Sequence, residues 1–229
     1  MIKFNKVSYK YYSNKENILT DLSFNIQKGE FVLILGKNGS GKTTLLSLIS
    51  SLILPTEGEI IFSGTNIKNK HFEKKCRNKI GYVFQNPYNS FFQKTIFEEI
   101  TWILKNYNIE NRESKYNYYM KLFGLNPFLL KDRNPRDLSL SEKKKIAIIS
   151  NIIHEPSLIL MDEPNVLFDF FSYENLLSFL NESKRKEQTI IISTNYPENY
   201  YFLTNRIIYL KEKVILFDGL PKDFINKNV

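Results

Sequence analysis

The segment GKNGSGKT at residues 36–43 constrains this chain more than any other feature, because it fits the phosphate-binding loop pattern G-x-x-x-x-G-K-[ST]. The apolar run FVLIL at 31–35 precedes it, as in a buried parallel strand, and leucines at helical spacing follow in 42–50. Strand, glycine-rich loop and helix in this order present backbone amides and a helix N-terminus to an anion. The pattern therefore predicts a nucleotide-binding protein. The residues expected at the nucleotide are Gly36, Lys37, Asn38, Gly39, Ser40, Gly41, Lys42, Thr43 and Thr44.

Two acidic residues at the end of a second apolar run predict chemistry beyond binding. Leucine, isoleucine and methionine fill 158–161, and Asp162 and Glu163 follow directly, as in a Walker B segment. Two acids after a strand could also form a solvated turn, but the phosphate-binding loop favours the functional interpretation. Lys42 would neutralise the β- and γ-phosphates, and Thr43 and Asp162 would hold Mg²⁺. Glu163 would polarise the attacking water, so hydrolysis of the bound nucleotide with Mg²⁺ is expected.

Length and cysteine content indicate the kind of protein that this chain forms. Its 229 residues suffice for one compact domain with a proper core. No apolar run approaches the roughly 18 residues that cross a bilayer, and residues 1–6 lack the apolar region of a signal peptide. The single cysteine, Cys76, cannot form an internal disulfide, which fits a reducing compartment. A soluble, intracellular protein is therefore expected.

The net charge of +8 is compatible with a nucleic acid or an anionic membrane surface as partner. A compositional cause competes with that interpretation, because lysine, asparagine and isoleucine are abundant while alanine occurs once, at Ala147. Such a bias is typical of an AT-rich genome. Aromatic residues also lie within apolar runs rather than between arginines, so no nucleic acid partner is expected.

The hydrophobic pattern predicts an α/β fold that is interrupted by a helical insertion. Strands are predicted at 2–8, 22–26, 59–62, 79–84, 158–161, 189–193, 206–210 and 214–217, and further helices at 95–106, 114–123 and 142–153. We expect a P-loop NTPase (RecA-like) core with an N-terminal antiparallel β-subdomain and an inserted α-helical subdomain. A single domain would span 1–229, with 1–86 and 157–229 as the nucleotide-binding core and 87–156 as the helical subdomain.

The chain resembles the ATPase subunit of an ABC transporter over nearly its whole length. Gln85 falls at the family's Q-loop glutamine, which contacts Mg²⁺ and the membrane partner. LSLSE at 138–142 falls at the signature L-S-G-G-Q, which meets the nucleotide held by the other subunit of a head-to-tail pair, and Asp169 falls at the D-loop aspartate. The resemblance implies that Gln85 is both catalytic and a metal ligand, and that Ser139 belongs to the nucleotide-binding set.

The resemblance also implies an aromatic residue that stacks on adenine. Tyr11 matches that position. Tyr9 and Tyr12 lie near enough along the chain to serve instead, and a plain surface or core tyrosine is a further alternative. Tyr11 is our expectation among the three.

The signature departs from the family pattern at three positions. Leu140 and Ser141 replace the two glycines that let the signature helix approach the γ-phosphate, and Glu142 replaces the glutamine. Ser139 and Glu142 also fit the capping box S-x-x-E, which would start a helix for structural reasons alone. A weakened phosphate site and a purely structural helix start therefore both remain open.

Asn195 stands where the family has its switch histidine, which holds the γ-phosphate and the attacking water in place. Its amide can donate a hydrogen bond but cannot become cationic. We assign Asn195 to the catalytic set with Glu163 and Gln85. The two histidines, His71 and His154, lie away from this strand end, and we expect both in solvated positions.

A narrower resemblance is to the ATPases of energy-coupling factor (ECF) and cobalt-type importers. It rests on GYVFQNP at 81–87, TIFEE at 95–99 and DGLP at 218–221. The chain departs from that pattern at Ser90, where the family usually has glutamine. The resemblance implies an ATPase peripheral to the cytoplasmic face of the cell membrane, which docks on a transmembrane coupling subunit and through it serves a substrate-binding membrane subunit.

Pairing follows from the same resemblance, because each ATP would lie between one subunit's phosphate-binding loop and the other's signature. With its altered signature, this chain is expected to form a heterodimer with a second ABC ATPase, and its homodimer to hydrolyse ATP weakly. Two alternatives remain open. One is a catalytically impaired ATP-dependent clamp or regulatory subunit, and the other is a soluble ABC ATPase that acts outside transport.

Overall fold

The computed structural model describes residues 1–12, 15–86 and 91–226, and within them the chain forms two β-sheets with helices packed against them. The strands are β1 (Ile2–Tyr9), β2 (Leu19–Ile26), β3 (Phe31–Leu35), β4 (Glu57–Phe62), β5 (Thr65–Asn66), β6 (Ile80–Val83), β7 (Leu158–Asp162), β8 (Thr189–Ser193), β9 (Arg206–Lys211) and β10 (Val214–Gly219). The helices are α1 (Lys42–Ile49), α2 (Phe72–Cys76), α3 (Ile96–Asn106), α4 (Arg112–Leu122), α5 (Pro127–Leu130), α6 (Leu140–Ile152), α7 (Phe170–Arg185) and α8 (Pro221–Asn226).

The smaller sheet is antiparallel and has the strand order β2-β1-β4-β5. Side chains of β2 alternate between the core and the outer face, and Leu22, Phe24 and Ile26 are buried. Phe24 stacks on Phe4 of β1, with the two ring centroids 4.4 Å apart. The antiparallel sheet predicted near the start of the chain is therefore present.

The larger sheet has the order β10-β9-β3-β8-β7-β6, and its strands pair in parallel except for β10 with β9. Strands β3, β7 and β8 are buried along their whole length, as their continuous apolar sequences predict. Ile34 pairs with Ser193, and Ser193 pairs with Asp162. The segments that follow these three strands consequently meet at one edge of the sheet, the usual place for a ligand in such folds.

Strand β3, which leads into the phosphate-binding loop, lies between two hydrophobic cores. Phe31, Leu33 and Leu35 belong to the core built with α3, α4, α6 and α7. Val32 and Ile34 belong to the core built with α1 and the antiparallel sheet. Burial of each of these side chains contributes roughly 1.5–3 kcal/mol relative to exposure. The loop is therefore anchored by a strand that packs on both faces.

Helices α3 to α6 occupy the part of the chain where the sequence predicts a helical insertion. The side chain of Thr95 caps α3 by accepting a hydrogen bond from the amide of Glu98 at 3.2 Å. The division into a core and a helical subdomain remains a prediction. In the three described ranges, every helix is too short or too polar to cross a membrane.

His154 contradicts the expectation of a solvated position. Only 8% of it is exposed, and its ring centroid lies 5.8 Å from that of Tyr107 at the end of α3. Burial lowers the pKa of His154 to about 4. The Glu155-Pro156 pair that follows is typical of a surface turn, but this turn packs its histidine inward. His71 is exposed, as expected.

Candidate functional site

The phosphate-binding loop connects β3 to α1, and glycine is required at two of its positions. A Cβ on Gly36 would lie 2.6 Å from the carbonyl oxygen of Leu210, which is closer than real contacts allow. Gly41, the N-cap of α1, has φ +100°, and a Cβ there would lie 2.7 Å from Leu19. No side chain caps α1, so its first amides remain available to a bound anion.

Lys42 lies over this loop and is 7% exposed. Its Nζ donates to the carbonyl oxygens of Gly36 at 2.7 Å and Lys37 at 3.4 Å, and to Oδ1 of Asn195 at 3.0 Å. The Nδ2 of Asn195 donates in turn to Oδ1 of Asn38 at 3.0 Å. Burial lowers the pKa of Lys42. The residue in the histidine position thus contacts the phosphate-binding loop directly.

The two acids at the end of β7 lie beside the loop. The Thr43 hydroxyl donates to Asp162 Oδ2 at 2.6 Å, and the Ser193 hydroxyl donates to Asp162 Oδ1. Glu163 has φ 46°, is 4% exposed, and accepts a hydrogen bond from Thr194 through Oε2 at 3.3 Å. Among the described residues Oε1 of Glu163 has no partner. Burial raises the pKa of Glu163, so this carboxylate is more basic than an exposed one.

A cavity of about 490 Å³ collects most of the predicted site residues. Its lining includes Tyr11, Asn38, Gly39, Gly41, Lys42, Thr43, Thr44, Gln85, Asp162, Glu163 and Asn195. The volume is typical of a small-molecule site. Residues predicted from separate motifs, more than 180 positions apart in the chain, therefore surround one space.

The cavity also offers ligands that suit Mg²⁺. Thr43 and Asp162 present oxygen atoms in contact with each other, and Gln85 lines the same space. Mg²⁺ prefers oxygen ligands and is commonly held by one or two carboxylates together with substrate phosphates. Thr43, Gln85 and Asp162 therefore fit a Mg²⁺ ion that is also held by a bound nucleotide. In the part of the chain that the structure describes, no group of three or more histidine, cysteine or acidic residues could hold a metal ion.

Of the three candidate tyrosines, Tyr11 has the position closest to the loop helix. Its hydroxyl lies 3.2 Å from Oγ1 of Thr44, and 41% of the residue is exposed at the cavity. Tyr9 is buried in β1 with its ring edge-on to that of Tyr11, and Tyr12 is fully exposed. Stacking of Tyr11 on adenine remains a prediction.

Ser139, by contrast, is not among the residues that line the cavity. It caps α6 in a capping box, in which its Oγ accepts from the amide of Glu142 and its own amide donates to Glu142 Oε2 at 2.9 Å. The hydroxyl of Ser139 also donates to the same carboxylate oxygen at 2.7 Å, and this bond lowers the pKa of Glu142. Leu140 is 44% exposed. Ser139 and Glu142 therefore form the capping box that the S-x-x-E pattern predicts.

Three residues of the site environment were not predicted from the sequence. Ser193 and Thr194 contact the two acids, and their place at the end of an apolar strand was a usable signal. Lys144 is fully buried beneath the segment that carries Gln85, and burial lowers the pKa of Lys144 to about 8. Nothing in the local pattern of three consecutive lysines identifies the middle one as buried. Pro87 and Ser90, which bear on the narrower resemblance, lie outside the described residues.

Comparison with known sequences gives one family. A family model described as ABC transporter matches residues 19–166. A relative from Caldanaerobacter subterraneus, named as an ABC transporter ATP-binding protein, is 38% identical over 99% of this chain and 94% of its own length. The energy-coupling factor transporter ATP-binding protein EcfA1 of Mycoplasmopsis synoviae is 31% identical over 99% of this chain and 85% of its own length. A Clostridium tetani relative is 33% identical over 98% of this chain, which spans 50% of that protein.

Solved structures give the same fold. An ATP-binding cassette determined as a dimer in a post-hydrolysis state with ADP and phosphate superposes with a TM-score of 0.85 at 27% identity, over 96% of this chain and 98% of that one. The cbiO1 protein of Clostridium perfringens, part of the ABC transporter complex cbiONQ, superposes with a TM-score of 0.81 at 27% identity, over 99% and 91%. The predicted α/β P-loop NTPase fold is confirmed.

Proposed function

This chain belongs to the ABC transporter family of ATP-hydrolysing subunits, and from that premise we propose that it powers an ECF-type importer of vitamins or metal ions. ATP is the nucleotide of the family. The relative named EcfA1 and the neighbour cbiO1 support the narrower class, since one is named for an ECF transporter and the other is part of an ABC transporter complex.

The observation that supports hydrolysis most directly is the buried Glu163 beside the Thr43–Asp162 pair. Its Oε1, which has no partner among the described residues, can accept a hydrogen bond from water, and its raised pKa makes it a better base near neutral pH. Lys42 would neutralise phosphate charge from above the loop. Thr43, Gln85 and Asp162 would hold Mg²⁺, which when bound stabilises negative charge on the β- and γ-phosphates.

Features of this chain support pairing with a different ATPase. Leu140 exposes a branched side chain at the signature, and Glu142 engages Ser139 inside the capping box, so this signature offers less to a partner's phosphate. Asn195 is neutral in the histidine position, where a cation could form in the family. A partner with an intact signature would complete the site around Glu163, and we therefore favour a heterodimer.

Exposed aromatic residues near Gln85 support docking on a membrane protein. Phe84 and Phe92 are 44% and 77% exposed and line a cavity together with Gln85. Phe92 also lines a second cavity with Trp102, which is 47% exposed. Exposed aromatic residues grouped in this way suit an interaction site. The chain would thereby bind a transmembrane coupling subunit at the cytoplasmic face of the membrane, and a substrate-binding membrane subunit indirectly.

The test of hydrolysis uses Glu163→Gln in the complex that copurifies with this chain from detergent-solubilised membranes. Because the amide cannot accept the proton of water, ATP turnover should fall by about 10²-fold or more, a typical effect of removing a general base. Binding of a fluorescent ATP analogue should be retained. Glu187→Gln, a change at an exposed acid, is the matched control and should leave both unchanged.

Unchanged turnover in Glu163→Gln would instead favour the alternative of an ATP-dependent clamp. That alternative has specific support in the altered signature and in Asn195.

The pairing has its own test, since the purified chain alone should bind nucleotide and turn it over slowly. Brisk hydrolysis by a homodimer would contradict the heterodimer, whereas a second ATPase and a transmembrane subunit in the copurified complex would support it.

A further inference from the structure

We propose that Lys144 is a positioning residue, which sets the location of Gln85 at the nucleotide cavity by tying the backbone at 84–85 to helix α6. Gln85 lines the cavity with Thr43 and Asp162. The importance of its position for turnover rests on the proposed function, but the contacts that hold it do not.

The contacts of Lys144 are short and specific. Its side chain is fully buried, and Nζ donates to the carbonyl oxygen of Gln85 at 2.8 Å and to that of Phe84 at 3.0 Å. Strand β6 ends at Val83, the residue before Phe84. The ring of Phe84 also packs 4.3 Å from that of Tyr82. Lys144 therefore ties the backbone at 84–85 to helix α6 where sheet pairing has stopped.

The energetics indicate that these bonds are the reason for a lysine at this position. An ammonium loses strong hydration when it is buried, and an apolar side chain of similar length would avoid that cost. In the described part of the chain Lys144 has no salt bridge. Its acceptors are two neutral carbonyls, helped at longer range by the charges of Asp162 and Glu163. The two hydrogen bonds to backbone carbonyls thus offset part of the free-energy cost of burying this ammonium group.

A second contact fixes α6 to the same strand. A Cβ on Gly81 would lie 2.3 Å from the carbonyl oxygen of Asn151, so the backbones of β6 and α6 touch. Lys144 and Asn151 lie about 10 Å apart along the helix at 1.5 Å per residue. Helix α6 therefore holds β6 at one point and the segment beyond β6 at another. Any shift of α6 against the sheet would be transmitted through Lys144 to Gln85.

The first test compares Lys144→Met with Lys143→Met in the nucleotide-free chain by hydrogen–deuterium exchange. Methionine keeps the length and removes the donors, whereas Lys143 lies on the same helix and is only half-buried. In Lys144→Met, the end of β6 should fray once the segment beyond it is released, so exchange of the amides at 81–83 should rise about fivefold or more. Exchange in β7 should stay unchanged, because local opening is separable from global unfolding. Lys143→Met should resemble the unmodified chain in both segments.

The second test measures turnover in the assembled complex. With Gln85 displaced, kcat should fall about tenfold while KM for ATP changes less than about threefold, since the phosphate-binding loop is untouched. The gain in affinity for a fluorescent ATP analogue on adding Mg²⁺ should also shrink. Lys144→Arg, which keeps the donors, should recover most of both effects.

A folded Lys144→Met protein with ordinary exchange at 81–83 would overturn the proposal, as would an ordinary kcat in the complex. If Lys144→Met fails to fold, Lys144→Gln serves with the same criteria, since its shorter amide cannot reach both carbonyls. The exchange measurement needs no nucleotide. It therefore separates failure of this inference from failure of the proposed hydrolysis, which Glu163→Gln reports.

Discussion

Asp162 and Glu163 are neighbours in the chain, yet their carboxyl groups lie in different environments. Both oxygens of Asp162 accept hydrogen bonds from hydroxyls, of Thr43 and Ser193. Glu163 keeps one oxygen without a partner among the described residues, and burial raises its pKa. Two acids whose surroundings differ in this way are suited to different tasks. These surroundings support the proposed roles, in which Asp162 would hold the metal and Glu163 would accept the proton.

His154 gives a prediction about stability in acid. Its pKa is about 4 in the folded protein and near 6.5 when exposed, so between these values the unfolded chain binds the extra proton. Stability should therefore fall as pH is lowered from 6.5 towards 4. His154→Gln, which cannot titrate, should lose part of that slope in urea unfolding measured across this pH range. An identical slope in the variant would contradict the assignment.

At the residue scale, the sequence predicts those site residues that belong to a short local motif. Lys42, Asp162 and Glu163 belong to such motifs, and the structure places all three at one cavity. Lys144 and His154 could not be predicted, because their burial depends on contacts with α3, β6 and the segment beyond β6. Those contacts join residues far apart in the chain, and a pattern of neighbouring residues does not contain them.

At the scale of elements, the contact between α6 and β6 predicts that Gly81 cannot carry a side chain. A Cβ there would overlap the carbonyl of Asn151, and backbone cannot yield cheaply. Gly81→Ala should lower the free energy of unfolding by about 2–4 kcal/mol, at the upper end of overpacking changes. Chemical denaturation measures this directly.

Gly64→Ala is the matched control for that change. Its φ is +80°, and nothing lies within 4 Å of the added Cβ, so only backbone strain of about 1 kcal/mol is expected. If both variants lose the same stability, the close approach of α6 to β6 is not what requires glycine.

Helix α7 shows why some elements are not predicted. Its buried face includes Ser172 and Ser183 beside Leu176, Phe179 and Leu180, so the apolar period is interrupted by two serines. The helix begins after Asp169, whose carboxylate accepts from the amide of Ser172 at 2.7 Å. By contrast α3, with regular apolar spacing and a threonine cap, begins within one residue of the predicted start.

On the scale of the whole molecule, the alternation of strands and helices predicts the fold class but not the order of strands. Strand β3 pairs with β8 and β9, which follow it by more than 150 residues. Arg206 of β9 strengthens this arrangement through ion pairs with Asp218 of β10 at 2.6 Å and with Glu30 at 3.2 Å. Such long-range choices are decided by packing and connection geometry rather than by local sequence.

The net charge of +8 leads to a prediction for the molecule as a whole. If the charge reflects composition rather than a nucleic acid site, a labelled DNA duplex should bind weakly at low salt and detach by about 150 mM salt, as in non-specific association. Fluorescence anisotropy over a salt series measures this. Submicromolar affinity for the DNA duplex that persists at 150 mM salt would instead favour the alternative of a soluble ABC ATPase that acts on nucleic acid.

Lys42 already has acceptors within the protein itself. An ammonium group has three protons, and those of Lys42 face the carbonyls of Gly36 and Lys37 and the amide oxygen of Asn195. A phosphate that takes up this lysine must therefore replace an existing acceptor, so binding is an exchange of ligands rather than an addition to a free cation. Measured affinity is then a difference between two sets of hydrogen bonds. The phosphate-binding loop follows β3, whereas Asn195 follows β8. Replacing the Asn195 oxygen by a phosphate oxygen would therefore change the contacts at the ends of both strands.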